Sequence, residues 1–249
     1  MLLRQYILSH LPLNNGRNVL SHFLTQVEFI PVSAFSGVVA QCKFSAEDYQ
    51  DDFFALAGLD FPEHLASAVA KRRAEYLAGR FLARQVLASL GHPNFILLRG
   101  EDRAPIWPNG IAGAISHNRD TALCAAQFDL GAACVGIDVE TEIQPKRAEA
   151  LWSGIVSDAE CLWLRQQNQP FNLLLTLVFS AKESLFKALY PQVRCYFDFL
   201  DARIVSLNMQ QCTFELELQK TLTPHFHLWR CFRGSFWLES DNVTTFICC

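Results

Sequence analysis

Residues 173–191 read "LLLTLVFSAKESLFKALYP". The run is apolar almost all the way round a helical wheel, so a helix built from it is buried and forms the spine of whatever core it belongs to. Yet it carries Glu183 and Lys187. A glutamate four residues before a lysine ordinarily marks a solvated face and contributes about 0.2–0.5 kcal/mol. Here Thr176, Ser180, Glu183 and Lys187 share a stripe roughly 60° wide, with Lys182 and Ser184 beside it. A fully buried ion pair is a poor stability device, because desolvation nearly cancels the attraction. A narrow polar seam on a buried helix therefore predicts the wall of a cleft, with a plain salt bridge as the simpler alternative.

Upstream of this helix, "VGIDVE" at 135–140 alternates as a strand. Val135, Ile137 and Val139 point to one side, and Gly136, Asp138 and Glu140 to the other. Carboxylates at i and i+2 repel unless a cation lies between them, and with a third oxygen ligand they suit Mg²⁺. A lone D-x-E is more often the solvent-facing side of an edge strand. Between strand and helix, "SDAE" at 157–160 is a capping box that opens a shorter helix. Downstream, "ARIVSL", "CTFELELQ", "HLWRCF" and "FWLES" read as strands.

The N-terminal part repeats the mixture. "VEFIPV" and "SGVVAQCKF" read as strands, and a helical pattern runs from Pro62 to Leu90, stopped by Gly91 and Pro93. "FILL", "AGAIS" and "ALCAAQF" follow as strands between turns. On the helix, Arg73, Arg80 and Arg84 lie within roughly 40° of one another. Such a stripe needs anionic partners, for which guanidinium forks suit phosphate; rim arginines that snorkel are an equal alternative. Ser116 and His117 close a strand, where side chains often reach a cleft. The order predicts two α+β halves rather than βαβ winding, with a boundary near 128–133 and halves of 1–130 and 131–249.

The 249 residues, 51% hydrophobic and 18% charged, are enough for a sizeable core. A net charge of -4 argues against a nucleic-acid partner or an anionic-membrane surface. The nine cysteines, an odd number with no C-x-x-C, predict free thiols and a reducing, cytoplasmic setting without a disulfide framework or structural zinc. "MLLRQYILSHLPLN" is too short and too broken an apolar run for a secretory signal. No stretch of about 18 apolar residues predicts a membrane span. No internal repeat or low-complexity tract is evident.

Taken in order, "RRAEYLAGRFLARQ", "GEDRAPIWP", "AISH", "GIDVE" and "FSAKESLFKALYP" resemble the 4'-phosphopantetheinyl transferases over about residues 68–191. Within them, the resemblance is to the larger, surfactin-synthetase-activating type and its enterobactin synthetase component D branch. It implies two similar α+β subdomains related by a pseudo-two-fold, a coenzyme A cleft between them, and a monomer. It also implies holo-[acyl-carrier-protein] synthase activity: the phosphopantetheine arm of coenzyme A passes to a serine of an apo acyl carrier or peptidyl carrier protein, releasing adenosine 3',5'-bisphosphate. Asp138, Glu140 and Glu183 match the Mg²⁺ carboxylates, and Glu183 also matches the base that takes the serine proton. Lys187 matches the lysine that neutralises the leaving bisphosphate, with Lys182 assisting. Ser116, His117, Arg80 and Arg84 match the nucleotide-phosphate pocket, with Arg72 or Arg73 as a further contact. Phe179 stands where many members carry Trp, and Ala104 beside Arg103 stands where many carry Lys.

Overall fold

The computed structural model describes residues 20–131 and 133–249, so the N-terminal segment considered as a signal lies outside the described residues. The chain divides into two compact units, residues 1–131 and 132–249. Both mix helix with antiparallel sheet, the α+β class expected from the order of patterns.

In the first unit a short helix α1 (Leu20–Phe23) leads into strands β1 (Leu24–Phe29) and β2 (Val38–Phe44). A one-turn helix α2 (Phe53–Leu56) and a 3₁₀ turn precede the long helix α3 (Ala70–Ser89). Then come a two-residue hairpin, β3 (Leu98–Arg99) and β4 (Pro105–Ile106), and strands β5 (Ile111–His117) and β6 (Thr121–Phe128). The sheet runs β1-β2-β6-β5, every neighbour antiparallel. Ala74, Leu77, Ala78, Phe81, Leu82 and Val86 recur at helical spacing on α3 and bury against Ala122, Cys124 and Ala126 of β6. The helix starts at Ala70, later than the pattern from Pro62 suggests. Residues 63–65 form a 3₁₀ turn, and Val69, the residue at the helix start, is still extended.

The second unit starts with β7 (Val135–Thr141), followed by helices α4 (Pro145–Leu151), α5 (Asp158–Arg165) and α6 (Phe171–Val193). Strands β8 (Ala202–Asn208), β9 (Thr213–Leu218), β10 (Cys231–Glu239) and β11 (Asn242–Cys248) complete it. The antiparallel sheet runs β7-β11-β10-β9-β8, so the last strand inserts between the first and the rest. Leu174, Leu177, Val178, Ala181 and Leu185 of α6 fill the core over Phe214, Leu216, Phe232 and Phe236. The α6 helix runs through Pro191 and stops at Arg194, which takes a left-handed φ of 54°. Pro191 forfeits one amide donor near the helix end without breaking the final turn.

Two expectations are corrected here. The segment "HLWRCF" is mostly loop, with Trp229 at φ 68°, and the strand begins at Cys231. Cys134 and Cys249, 115 residues apart, form a disulfide with their Cα atoms 5.1 Å apart. The β7–β11 pairing creates it, since Cys134 N–H donates to the Cys249 carbonyl at 2.7 Å just beyond the ladder. Composition and spacing carry no trace of such long-range pairing. The other seven cysteines are free.

Candidate active site

Strand β7 and helix α6 are brought together by a residue with no side chain. A Cβ on Gly136 would overlap the Ser184 carbonyl and press on Ala188, so only glycine lets the helix lie this close. The helix is also hydrogen-bonded to the sheet. Ser184 Oγ donates to the Thr245 carbonyl at 3.0 Å, and Ser180 Oγ and Ser184 Oγ lie 2.9 and 2.7 Å from Thr245 Oγ1. Thr245 in turn faces Asp138 across the β7–β11 ladder. Hence only half of the polar stripe on α6 is cleft wall. Thr176 and Ser180 are fully buried, with Thr176 Oγ1 donating to the Asn172 carbonyl at 2.7 Å and accepting from Ile143 N–H at 2.9 Å. Of the other two, Glu183 lines a small cleft and Lys187 turns to strand β7.

Asp138 is 2% exposed, which removes the solvent-facing reading of D-x-E. Its Oδ1 accepts from Lys187 Nζ at 2.6 Å, and the same ammonium reaches the Ile137 carbonyl at 3.3 Å. Lys187 thus reaches a carboxylate on the strand as well as acting on its i,i+4 neighbour Glu183. Burial first, and then the Asp138 charge, push the Glu140 carboxyl up to about 8; Lys187 opposes this and Glu183 adds to it. The Glu183 carboxyl is raised by burial, with Lys187 opposing and Asp138 reinforcing. Lys187 and, for Glu140, Arg147 are the cations that oppose these shifts, and they do not cancel them. Among the described residues no group of three or more His, Cys, Asp and Glu side chains is gathered into a metal cage. Mg²⁺ needs none, since one or two carboxylates with waters and substrate phosphates suffice for it. Asp138 and Glu140, two residues apart on one strand, are carboxylates of the kind such a site would use.

Lys182 is a correction. Its ammonium is buried, 3.0 Å from Glu160 Oε1 and 2.8 Å from the Ile155 carbonyl, so it is engaged inside the unit and not offered to a phosphate. Its stem helps to line a small cleft of about 80 Å³ beside Glu183, with Phe186, Tyr196, Phe197, Asp198, Phe199 and Ala202. Phe179 packs on Phe199 at 5.2 Å between ring centroids, a packing role for the residue that replaces Trp. Neither Thr245 nor the aromatic wall figured in the sequence reading. The wall is contiguous in sequence as "YFDF", but its proximity to Glu183 depends on the chain turning back over α6.

The first unit gathers cations. Arg72 Nη1 lies 2.9 Å from His117 Nε2 and 3.2 Å from Glu75 Oε2. Ser116 is buried beside His117 at the end of β5. Arg80 stacks over Tyr76 at 4.7 Å with its buried Nε lacking a hydrogen-bond partner. The His64 ring packs against Tyr76 at 5.4 Å, and its pKa is lowered by burial and then by Arg99, Arg80 and Arg72. Arg73 and Arg84 are corrections to the arginine stripe. Arg73 donates to the Leu65 and Ala66 carbonyls at 3.1 and 2.7 Å and pairs with Asp51 at 2.7 Å. Arg84 donates to the Ala57 and Gly58 carbonyls at 2.6 and 3.0 Å. The turns between residues 57 and 66 present backbone carbonyls along this face, and two of the three arginines donate to them. Arg72 and Arg80 instead stay with Glu75, His117 and Tyr76.

Residues 61–127 match the 4'-phosphopantetheinyl transferase N-terminal domain, and residues 134–245 match the 4'-phosphopantetheinyl transferase superfamily. The chain belongs to the 4'-phosphopantetheinyl transferase superfamily and is a transferase of that class. It is 38% identical over 153 residues to enterobactin synthase component D of Escherichia coli strain K12, covering 61% of this chain and 71% of that protein. The enterobactin synthase component D of Salmonella typhi is 37% identical over 161 residues, 65% of this chain and 66% of that one. The 4'-phosphopantetheinyl transferase Npt of Nocardia iowensis is 33% identical over 156 residues, 62% and 65% of the two chains. The chain thus spans about two thirds of the length of these relatives. Among the described residues no helix is long and apolar enough to cross a membrane.

Proposed function

We propose that the protein is a holo-[acyl-carrier-protein] synthase. It would move the phosphopantetheine arm of coenzyme A onto a serine of an apo acyl carrier or peptidyl carrier protein, releasing adenosine 3',5'-bisphosphate. The observation that carries this reading is the 2.6 Å pairing of Lys187 from the helix with the buried Asp138 of the strand, with Glu140 and Glu183 acting electrostatically on the same pair. Mg²⁺, held by these carboxylates with the substrate diphosphate, would offset the charge that develops on the leaving phosphate.

The chain's own groups do the rest. Glu183, with its raised affinity for a proton, accepts the serine proton as the hydroxyl oxygen attacks the phosphorus next to the arm. Lys187, whose ammonium holds Asp138 and the Ile137 carbonyl, brings its positive charge to the departing bisphosphate. Arg72, Arg80, Ser116 and His117 take the nucleotide phosphate. The aromatic side of the cleft beside Glu183 suits the methylene-rich arm. The pseudo-two-fold, the coenzyme A cleft, the monomer and the cytoplasmic setting are parts of this proposal that come from the family resemblance. The names of the relatives add siderophore-type peptidyl carriers to the candidate partners.

Intact-mass measurement of apo carrier proteins incubated with the protein, Mg²⁺ and coenzyme A tests the reading. Serine modification is expected; coenzyme A cleavage without modification across a panel of carriers would make the protein a phosphohydrolase instead. Glu183→Gln is expected to lower turnover by about 10²–10⁴-fold with the fold retained. Near-parental turnover in that variant would remove Glu183 as the base.

A further inference from the structure

Glu160 and Lys182 form a junction that the proposed chemistry does not use. Both are buried, at 4% and 2% exposure. Glu160 Oε2 accepts from the Ser157 amide at 2.9 Å and from Ser157 Oγ at 3.0 Å. Its Oε1 accepts from the Ile204 amide at 2.9 Å and from Lys182 Nζ at 3.0 Å. One carboxylate thus joins the first turn of α5, the start of β8 and the middle of α6. Lys182 extends the junction to the Ile155 carbonyl. As a stability device the pair is poor, because well-packed apolar side chains of the same volume would serve equally well. What such a pair supplies is a defined geometry, since each partner is costly to bury unless the other stands in place.

The position of the junction indicates what that geometry serves. Lys182 immediately precedes Glu183, so fixing the Lys182 azimuth fixes that of Glu183 about 100° away on the same turn. Ile204 lies two residues beyond Ala202, where the wall Phe197–Ala202 of the cleft runs into β8. We propose that Glu160 and Lys182 are positioning residues that hold the Glu183 carboxylate and the Phe197–Ala202 wall at a set separation, fixing the geometry in which the base meets its substrate. The proposal rests on the transferase reading for its kinetic consequence, and it assigns Lys182 no phosphate contact.

The test is the double variant Glu160→Gln/Lys182→Met. It removes both charges and keeps near-native volume, and the single Gln carbonyl oxygen can still accept from Ser157 or from Ile204. At a temperature well below its melting point, its kcat is expected to fall about tenfold or more while KM for coenzyme A stays within about twofold, as for a displaced catalytic group. Amides of residues 196–204 should exchange hydrogen faster than in the parent, while those of β10 and β11 keep their protection. A raised KM for coenzyme A with unchanged kcat would make Lys182 a phosphate ligand and overturn the proposal. Parental kinetics with only a lower melting temperature would reduce the pair to a structural role and also overturn it. Absence of transfer by the parent protein removes the transferase reading alone. Hydrogen exchange then decides the junction, and unchanged protection at 196–204 in the double variant defeats it.

Discussion

Glu140 holds its proton far above the ordinary carboxyl range because burial and the charges of Asp138 and Glu183 outweigh Lys187 and Arg147. In an unfolded chain a glutamate titrates near about 4.3. Between that value and about 8 the folded protein keeps a proton that the unfolded chain has lost. Stability therefore falls as pH rises through this window. Glu140→Gln should flatten that slope, and thermal melts of EDTA-treated protein between pH 5 and 8 would read it. A slope equal to the parent's would mean that Glu140 is not the group responsible. The arginines divide at the same scale. Arg84→Ala strips donors from the Ala57 and Gly58 carbonyls and should lower the melting temperature, with coenzyme A affinity nearly unchanged in calorimetry. Arg80→Ala should do the reverse, weakening coenzyme A about tenfold or more, as loss of a charge-assisted phosphate contact does. If both variants behaved alike, the distinction between structural and ligand-facing arginines would fall. The periodicity placed all three arginines on one helix face, and it could not tell a phosphate from a backbone carbonyl as their partner.

At the scale of elements, the site depends on how closely α6 lies on β7. Gly136→Ala would drive a methyl group into the Ser184 carbonyl. Backbone cannot rotate aside as a side chain can, so helix and strand must separate. Overpacking of this kind costs about 1–3 kcal/mol, to be measured by urea denaturation. Transfer activity should fall further than stability, because the Lys187–Asp138 contact spans the same gap. A variant as stable and active as the parent would show that the contact tolerates more space than the structure gives it. The alternation of "VGIDVE" identified the strand and the face carrying its acids. The strand beside it, "NVTTFIC", went unread. Asn242 through Ile247 are all buried, so no alternation between core and solvent marks them. Thr244 and Thr245 interrupt the apolar run that would otherwise have signalled a buried strand.

Across the whole second unit, the chain closes on itself through β11. Cys134 and Cys249 join the start of the unit to its end across a 115-residue separation. A cross-link of this span contributes about 2–4 kcal/mol, chiefly by restricting the unfolded chain. Oxidised protein is expected to melt several degrees above the same protein in dithiothreitol, and Cys134→Ser should abolish the difference. A melting temperature that does not respond to reductant would mean that the bond makes no contribution. By itself the sequence determined the α+β alternation, the buried helix at 173–191, the capping box at Ser157 and the strand that carries Asp138 and Glu140. These follow from local periodicity and from side chains whose chemistry is specific wherever they stand. Tertiary structure alone decided which charge meets which. Lys187 turned to Asp138 and Lys182 to Glu160, while Arg73 and Arg84 went to carbonyls and Cys134 to Cys249. The physical reason is that a charged or hydrogen-bonding group takes the nearest partner in space. Spacing along the chain reveals that partner only when both lie within one helical turn or one strand.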